Sequence, residues 1–245
     1  MKELTGKIAL ITGGNSGIGY AAAKELISNG AQVIITGRRK EALDKAAAEL
    51  GATGLLADQS NLTDIESLAS YVLQQFGRLD ILVINAGISK LTSIQDATEQ
   101  LFDEVIDLNL KGAYFTLSRF IPILNDGASV IVISSSSAST AAPQTSIYTA
   151  SKVAINAIIK VAAIELAPRR IRVNAVSPGP VATAIMEKAG LGDRDMQDYI
   201  IAGVPLGRLG DPAEVGTLIG FLASDKAAFI SGAEYLIDGG QSINR

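Results

Sequence analysis

Short apolar runs alternate with longer amphipathic stretches along almost the whole of this 245-residue chain. Continuous apolar runs such as Ile81–Ile84 and Val130–Ile133 are typical of strands buried on both faces of a sheet. The pattern predicts strands over Lys7–Thr12, Gln32–Thr36, Thr53–Ala57, Asp80–Asn85, Ser129–Ser134, Arg172–Val176 and Glu234–Ile237, and helices over Gly17–Asn29, Glu41–Leu50, Leu62–Phe76, Glu99–Leu124, Ile147–Ala167 and Pro212–Ala223. Such alternation favours right-handed crossovers and a parallel sheet covered by helices on both faces. We therefore predict a single α/β domain over residues 1–245.

One long segment, Val181–Asp211, lacks clear strand boundaries. It carries scattered apolar residues and several glycines. Long irregular segments in compact domains tend to be functional or mobile. We predict that residues 181–211 form a lid over a site; the alternative is a surface excursion without a role.

The chain contains no histidine and no cysteine. Their absence excludes thiol nucleophiles, Ser-His-Asp catalysis and zinc held by His and Cys ligands. Acid–base chemistry is left to Tyr, Lys, Asp and Glu. We predict no metal site.

Charge and hydropathy narrow the range of partners. The net charge is only -4, and the basic pairs Arg38-Arg39 and Arg169-Arg170 are not part of longer runs. A nucleic-acid footprint needs a concentrated basic face, so no nucleic-acid partner is predicted. No segment reaches the roughly 18 consecutive apolar residues of a membrane span, and the first residues have no apolar signal-peptide core. We predict a cytoplasmic protein that acts on a small molecule.

A glycine-rich turn joins the first predicted strand to the first helix, with the sequence Thr12-Gly13-Gly14-Asn15-Ser16-Gly17-Ile18-Gly19. Glycine lets the backbone approach a pyrophosphate closely, and the N-terminus of the following helix offers N–H groups and partial positive charge. The spacing, Gly-x3-Gly-x-Gly, departs from the Gly-x-Gly-x-x-Gly fingerprint. Its place after the first strand of an α/β alternation indicates a dinucleotide site.

The end of the second strand bears on the choice of cofactor. NAD-binding folds place an acidic residue there for the ribose hydroxyls. This chain instead has Arg38 and Arg39 after Gly37. Guanidinium groups suit a 2′-phosphate, so the pattern favours NADP(H), with Arg38 as the main contact and NAD(H) as the alternative. In the other interpretation both arginines are solvated loop charges.

Tyr148 and Lys152 lie four apart at the start of a predicted helix, so they project from one face. A free tyrosine has a pKa near 10, and bringing it near neutrality takes about 4 kcal/mol. One ammonium group about 4 Å away supplies roughly that amount at an effective dielectric near 20. The pair can therefore act as an acid–base unit, although Tyr-x-x-x-Lys alone is common on helix surfaces.

Other polar residues occur where the same crevice is expected. Serines 134 to 137 follow the fifth predicted strand, and Asn85-Ala86-Gly87 closes the fourth. Ligand sites in open α/β sheets lie at the carboxyl ends of strands. Asn109 is a polar residue inside a predicted helix; it is either functional, solvent-facing or the source of a helix distortion.

Taken together, these motifs resemble the short-chain dehydrogenase/reductase family in its single-domain form. The resemblance covers essentially the whole chain and rests on Thr12-Gly13…Gly17-x-Gly19, Asn85-Ala86-Gly87, Asn109, Ser135, Tyr148-x-x-x-Lys152, Pro178-Gly179…Thr183 and Asp238-Gly239-Gly240. It implies a Rossmann-type, doubly wound seven-stranded parallel sheet in the order 3-2-1-4-5-6-7. It also implies a homotetramer built on the two long helices.

The resemblance also assigns roles. Tyr148 would be the general acid or base, Ser135 would polarise the reacting oxygen, Lys152 would lower the Tyr148 pKa and bind the nicotinamide ribose, and Asn109 would hold a water that links Lys152 to solvent. The expected cofactor-binding residues are Gly13, Asn15, Ser16, Gly17, Ile18, Gly19, Arg38, Arg39, Asp58, Asn85, Ala86, Gly87, Tyr148, Lys152, Pro178, Gly179, Val181 and Thr183. Among these, Asp58 would meet the adenine amino group.

Two departures from the family pattern stand out. Ser16 precedes Gly17 where many NADP-preferring relatives carry a base. Gln59-Ser60 follows Asp58 where a more apolar residue is usual.

We compare three functions. The leading one is a carbonyl reductase or alcohol dehydrogenase acting on a small or medium ketone, with mostly small or apolar pocket candidates: Ala138, Ala141, Ala142, Ile185, Met186, Leu191 and Tyr199. The second is reduction of a 3-oxoacyl group on acidic acyl carrier protein, which needs a basic rim to which Arg169 and Arg170 would contribute. The third is a nucleotide-sensing protein without turnover, which the intact Tyr–Lys pair disfavours.

Overall fold

The computed structural model describes residues 2–183, 186 and 193–244. It contains a seven-stranded sheet in the order β3-β2-β1-β4-β5-β6-β7, and every neighbouring pair is parallel. The strands are β1 (Ile8–Ile11), β2 (Gln32–Gly37), β3 (Thr53–Leu56), β4 (Leu79–Ile84), β5 (Leu124–Ile133), β6 (Arg172–Pro178) and β7 (Glu234–Ile237). The predicted architecture and strand order are confirmed.

The helices pack on both faces of this sheet. Among the described residues the α-helices are α1 (Gly17–Ser28), α2 (Lys40–Leu50), α3 (Leu62–Phe76), α4 (Glu99–Ile106), α5 (Ala113–Phe120), α6 (Ser146–Leu166), α7 (Arg194–Ala202) and α8 (Pro212–Ala223). No residue of α7 is buried in the sheet cores. Alternate residues of β4 enter different cores: Leu82 packs in the core that contains α3, α5 and α6, whereas Ile81 packs in the core that contains α1, α2 and α8. Burial on both faces explains the continuous apolar strands.

The predicted long helix Glu99–Leu124 is wrong in its middle and at its end. A π-helical segment, Asp107–Gly112, separates α4 from α5, and Leu124 is already the first residue of β5. The pairing of β4 with β5 shifts register between Leu79 and Ile81, because residues 125–128 loop out of the ladder. The π segment, here called the π turn, becomes important at the site.

The segment Val181–Asp211 contains the helix α7, which the sequence pattern did not predict. Another helical run, Ser146–Arg169, has the length and hydropathy of a membrane span, but nearly half of its apolar window is buried inside the fold. It packs against β6 as a core helix, so its apolar composition reflects burial in protein.

The order of strands reverses between β1 and β4, because the chain moves outward from β1 in both directions. A crevice opens outside the carboxyl ends of strands at such a point. The candidate site lies there.

Candidate active site

A cleft of about 290 Å³ runs along the carboxyl edge of the sheet. Every predicted cofactor-binding residue except Gly19 lines this cleft, and so does Ser135. Met186, predicted as a substrate-pocket residue, also lines it, together with residues that were not predicted as contacts: Thr36, Gly37, Ala57, Gln59, Ile88, Ser89, Leu108, Ile133, Ser134 and Pro180.

The glycine turn is packed so tightly that side chains are excluded. A Cβ on Gly19 would lie 2.4 Å from the backbone oxygen of Gly13 and 2.5 Å from Nδ2 of Asn85. Gly13 and Gly17 have φ values of +64° and +56°, which L side chains rarely adopt. Gly19 therefore packs against the side of the turn that faces away from the cleft, and the backbone of Gly13 and Gly17 lines the cleft.

The N-terminus of α1 opens into the same cleft. Its N-cap residue, Ser16, makes no side-chain capping hydrogen bond, so the Ser16 side chain does not take up the first helical N–H groups. Such groups, next to a glycine-rich turn, form an anion site of the kind that holds a pyrophosphate. The glycine turn and the helix end therefore fit the dinucleotide that the sequence predicts.

Thr12 fixes the glycine turn to the end of β4. Its hydroxyl oxygen accepts hydrogen bonds from the N–H groups of Asn85 (2.9 Å) and Ala86 (3.1 Å). The Asn85 amide in turn donates to the backbone oxygens of Thr12 (2.9 Å) and Gly13 (3.1 Å). Sequence reasoning missed this role of Thr12; a threonine between an apolar strand and a glycine turn is the signal that would have indicated it.

The end of the cleft next to β2 and β3 carries the groups expected near the adenosine. Arg38 and Arg39 are exposed at its mouth. Asp58 is half-buried, and one of its carboxylate oxygens accepts from the N–H (2.9 Å) and the hydroxyl (2.8 Å) of Ser60. Ser60 thus holds the Asp58 side chain at the edge of the cleft.

Tyr148 and Ser135 form the centre of the other half of the cleft. Tyr148 is the third residue of α6, and Ser135 lies two residues after the end of β5. Burial raises the pKa of the Tyr148 hydroxyl, and the hydrogen bond with Ser135 acts in the opposite direction. The lowered tyrosine pKa that the sequence predicts is therefore not seen in this structure.

Lys152 explains part of that difference. Its ammonium donates to the backbone oxygen of Ile133 (2.8 Å) and lies 5.7 Å from the centroid of the Tyr148 ring. The side chain is 5% exposed, and burial lowers its pKa to about 8. An amine that is partly neutral near pH 8 is a weaker electrostatic partner for a phenolate than a fully charged one.

Asn109 lies behind the cleft wall, in the π turn, and is almost completely buried. Its amide oxygen accepts from the N–H of Ile88 (2.9 Å), and its amide nitrogen donates to the oxygen of the same residue (2.8 Å). A Cβ on Gly87 would come within 3.2 Å of Asn109 Oδ1 and 3.6 Å of Lys152 Nζ. The helix distortion considered from sequence is present, and it brings Asn109 close to the lysine.

Residues at the end of β6 and just after it form a further wall of the cleft. Pro178, Gly179, Val181 and Thr183 line the cleft as predicted. A Cβ on Gly179 would lie 2.7 Å from Cα of Asp238, so this wall rests directly on the loop after β7.

The predicted substrate-pocket residues are only partly brought together. Met186 is buried in the cleft wall, whereas Tyr199 is 77% exposed on α7. Ala138 is half-buried, Ala141 and Ala142 are exposed, and none of the three is among the cleft-lining residues. Ile185 and Leu191 lie outside the described residues.

The fold and cleft together define a dinucleotide-binding α/β protein in which a half-buried tyrosine and a buried lysine lie at one end of the site. A family model described as enoyl-(acyl carrier protein) reductase matches residues 13–242. Among similar proteins, oxidoreductase asL5 of Sarocladium schorii is 41% identical over 98% of this chain and 97% of its own length. The L-rhamnose 1-dehydrogenase (NAD(P)(+)) of Azotobacter vinelandii is 37% identical over 98% of both chains. Human dehydrogenase/reductase SDR family member 4 is 33% identical over 97% of this chain and 88% of its own.

Solved structures agree with this grouping. The crystal structure of gox2181 has a TM-score of 0.94 and 31% identity, and covers 98% of this chain and 97% of that one. A short-chain dehydrogenase/reductase from Serratia marcescens has a TM-score of 0.91 and 31% identity, with 98% and 99% covered. The chain belongs to the short-chain dehydrogenase/reductase family. It is an oxidoreductase that acts on CH–OH or C=O groups with NAD(P).

Proposed function

We propose that this chain interconverts a ketone and a secondary alcohol by hydride transfer, with Tyr148 as the general acid and base. The observation that carries the proposal is the half-buried Tyr148, hydrogen-bonded to the buried Ser135 next to the buried Lys152, at the end of a cleft with a dinucleotide-type glycine turn. With no histidine or cysteine in the chain, this pair is the main proton-transfer group available there.

The cofactor would lie with its pyrophosphate at the glycine turn, its adenosine toward Asp58, and its nicotinamide toward Pro178, Gly179 and Thr183. When bound, it supplies or accepts the hydride. Asn85, Ala86 and Gly87 would line the adenosine side, with Val181 beside the nicotinamide wall. The tight backbone packing of Gly13 and Gly19 supports this seat, because the turn leaves no room for side chains between backbone and ligand.

In reduction, Tyr148 donates its proton to the carbonyl oxygen while Ser135 hydrogen-bonds that oxygen. In oxidation, the Tyr148 phenolate removes the alcohol proton. Burial raises the pKa of Tyr148, so the proton needed for reduction is present at neutral pH, whereas the phenolate needed for oxidation becomes rarer. Lys152, with a pKa of about 8, is able to exchange a proton in the working range. We propose that a water molecule, held at the π turn next to Asn109, connects Lys152 to solvent.

We infer a preference for NADP(H) over NAD(H). The exposed guanidinium of Arg38 at the cleft mouth supports this, with Arg39 beside it, because arginine matches a phosphate bidentately. No carboxylate follows β2, where NAD-binding folds carry one.

We propose a small or medium apolar ketone as substrate. The lid predicted over residues 181–211 stays a prediction, because residues 184, 185 and 187–192 lie outside the described residues. The buried Met186 in the cleft wall supports an apolar contact surface. A cytoplasmic location stays a prediction.

The alternative substrate, a 3-oxoacyl group on acyl carrier protein, loses its main support. Arg169 is occupied by the Asp126 carboxylate (2.9 Å) and the backbone oxygen of Ile121 (2.8 Å). Arg169 and Arg170 precede β6, so they lie at the edge of the sheet opposite the cleft. The basic rim expected from these residues is therefore not at the entrance.

We also infer a homo-oligomer, in line with the tetramer that the sequence resemblance implies. Ile164 of α6 is 76% exposed, and Val161 and Tyr114 are further large apolar residues exposed on α6 and α5. Sedimentation velocity tests this, and a monomer at micromolar concentration would contradict it.

A panel of ketones, alcohols and an acetoacetyl thioester, each with NADPH and NADH or their oxidised forms, tests the function. We expect carbonyl-dependent oxidation of NADPH, with a larger kcat/KM for simple ketones than for the thioester. A much larger kcat/KM for the thioester would favour the carrier-protein reductase. Cofactor binding without turnover of any carbonyl or alcohol would favour a sensing protein.

A further inference from the structure

Gln59 is a buried polar residue that the proposed reaction does not use. It follows Asp58 at the cleft and is 6% exposed. Its side-chain amide nitrogen donates to the backbone oxygens of Ala86 (3.1 Å) and Leu108 (3.2 Å). Ala86 belongs to the loop after β4, and Leu108 to the π turn, so one side chain connects three separate segments of the cleft.

The chemistry of these contacts fixes the orientation of the amide. Carbonyl oxygens only accept hydrogen bonds, so both of them require the NH₂ group of Gln59. Its own amide oxygen is then left buried without a partner among the described residues. A buried unpaired acceptor costs free energy, which the two donated bonds must offset. An apolar side chain at this position would avoid that cost but would leave both carbonyls without this donor.

The backbone of Gln59 reinforces the connection. A Cβ on Gly112, at the end of the π turn, would lie 2.1 Å from the backbone oxygen of Gln59. The segment after β3 is therefore in direct backbone contact with the π turn as well as bonded to it through the side chain. Leu108 both lines the cleft and precedes Asn109 in the chain.

We infer that Gln59 is a positioning residue for the cofactor. It holds the Ala86 carbonyl and the Leu108 carbonyl at a fixed separation, and thereby sets the spacing between the adenosine-side loop and the π turn that carries Asn109. This inference rests on the proposed function, since it assumes that the cleft binds a nicotinamide dinucleotide.

The first test is Gln59→Met, which keeps the length of the side chain and removes both donated bonds. Because the carbonyls of Ala86 and Leu108 are then no longer held together, the cofactor has to order the two segments when it binds, and we expect its Kd to rise about tenfold. The KM for the carbonyl substrate should stay unchanged. Cofactor fluorescence titration and steady-state kinetics measure the two quantities.

A second variant, Gln59→Glu, adds a readout that a merely structural role would not move. When protonated, the glutamic acid donates one hydrogen bond to a carbonyl oxygen; when ionised, its carboxylate faces two carbonyl oxygens and repels them. Because burial raises the pKa of a carboxyl group at this position above its usual value near 4.3, it ionises nearer neutral pH. The ratio of its cofactor Kd to that of the wild type should therefore rise about tenfold between about pH 6 and pH 9. Gln59→Met should give a ratio that does not depend on pH.

Asn174→Leu is the matched control. Asn174 is another fully buried amide, which donates to the oxygen of Ile230 (2.9 Å) and accepts from the N–H of Ala233 (3.1 Å), away from the cleft. It should lower stability and leave the cofactor Kd unchanged. Cofactor Kd values for both Gln59 variants within about twofold of wild type at every pH would overturn the inference. A wild-type protein that binds neither NADPH nor NADH would instead overturn the proposed function.

Discussion

The two halves of the cleft are built in different ways. The dinucleotide half, with Gly13 and Gly19 at its centre, is made of backbone packed so closely that a Cβ on Gly19 would approach another backbone atom to 2.4 Å. The catalytic half is made of side chains, Tyr148 and Lys152, whose proton affinities are changed by burial. We infer that the first half is sensitive to added volume and the second to changes of charge.

The largest expected effect on stability concerns the charge of Lys152. Its pKa falls from 10.5 to about 8 in the folded protein, so the unfolded chain binds the proton more tightly between these pH values. Unfolding then takes up a proton, and the free energy of unfolding rises with pH across this window by about 3 kcal/mol. Below pH 8 the full cost of burying the charge is present; above 10.5 it is absent.

Urea unfolding of wild type and Lys152→Met at several pH values from about 7 to 10 measures this contribution. The stability of the wild type should increase relative to the variant as pH rises. A constant difference would mean that burial does not lower the pKa of Lys152.

The next prediction tests whether added side-chain volume in the dinucleotide half of the cleft weakens cofactor binding. Gly19→Ala places a methyl group against Gly13 and Asn85. Since overpacking typically costs 1–3 kcal/mol, we expect cofactor affinity to fall roughly thirtyfold. Gly203→Ala is the control, because its added Cβ stays 3.3 Å from the nearest atom. Isothermal titration with NADPH compares the two, and equal affinities would contradict the tight-turn account.

The smallest expected effect tests the preference for NADP(H) over NAD(H). Arg38→Ala should raise the Kd for NADPH about tenfold and leave the Kd for NADH nearly unchanged, because only the former carries the 2′-phosphate. Arg78→Ala, a substitution of another exposed arginine, controls for net charge. Equal losses for both cofactors would assign Arg38 a role that does not depend on the phosphate.

The parts of the site that could be predicted are those set by local sequence. Apolar runs predicted the seven strands and a parallel sheet, the family resemblance implied their order, and the position of the glycine turn after β1 indicated the cofactor end. For Asn109 the sequence left a helix distortion as one of three alternatives, because its partner, the backbone of Ile88, lies 21 residues away.

Contacts between distant segments explain the other differences. Gln59 lacked an interpretation from sequence because its partners, Ala86 and Leu108, belong to other segments. Arg169 was considered for a basic rim, but its pairing with Asp126 was not visible in the sequence. The lowered pKa expected for Tyr148 rested on Lys152 alone, whereas burial of both groups acts against it.

The rate of hydride transfer in the variant Tyr148→Phe tests most directly the central claim, that Tyr148 is the proton donor. The measurement is single-turnover transfer of deuterium from a 4-deuterated nicotinamide cofactor to a ketone, with Tyr71→Phe, a half-exposed tyrosine on α3, as control. Since general acid–base catalysis contributes 10²–10⁴-fold, we predict a loss of about a thousandfold in Tyr148→Phe, while the cofactor Kd changes less than about threefold. Transfer at the wild-type rate in Tyr148→Phe would contradict the assignment of Tyr148 as the proton donor.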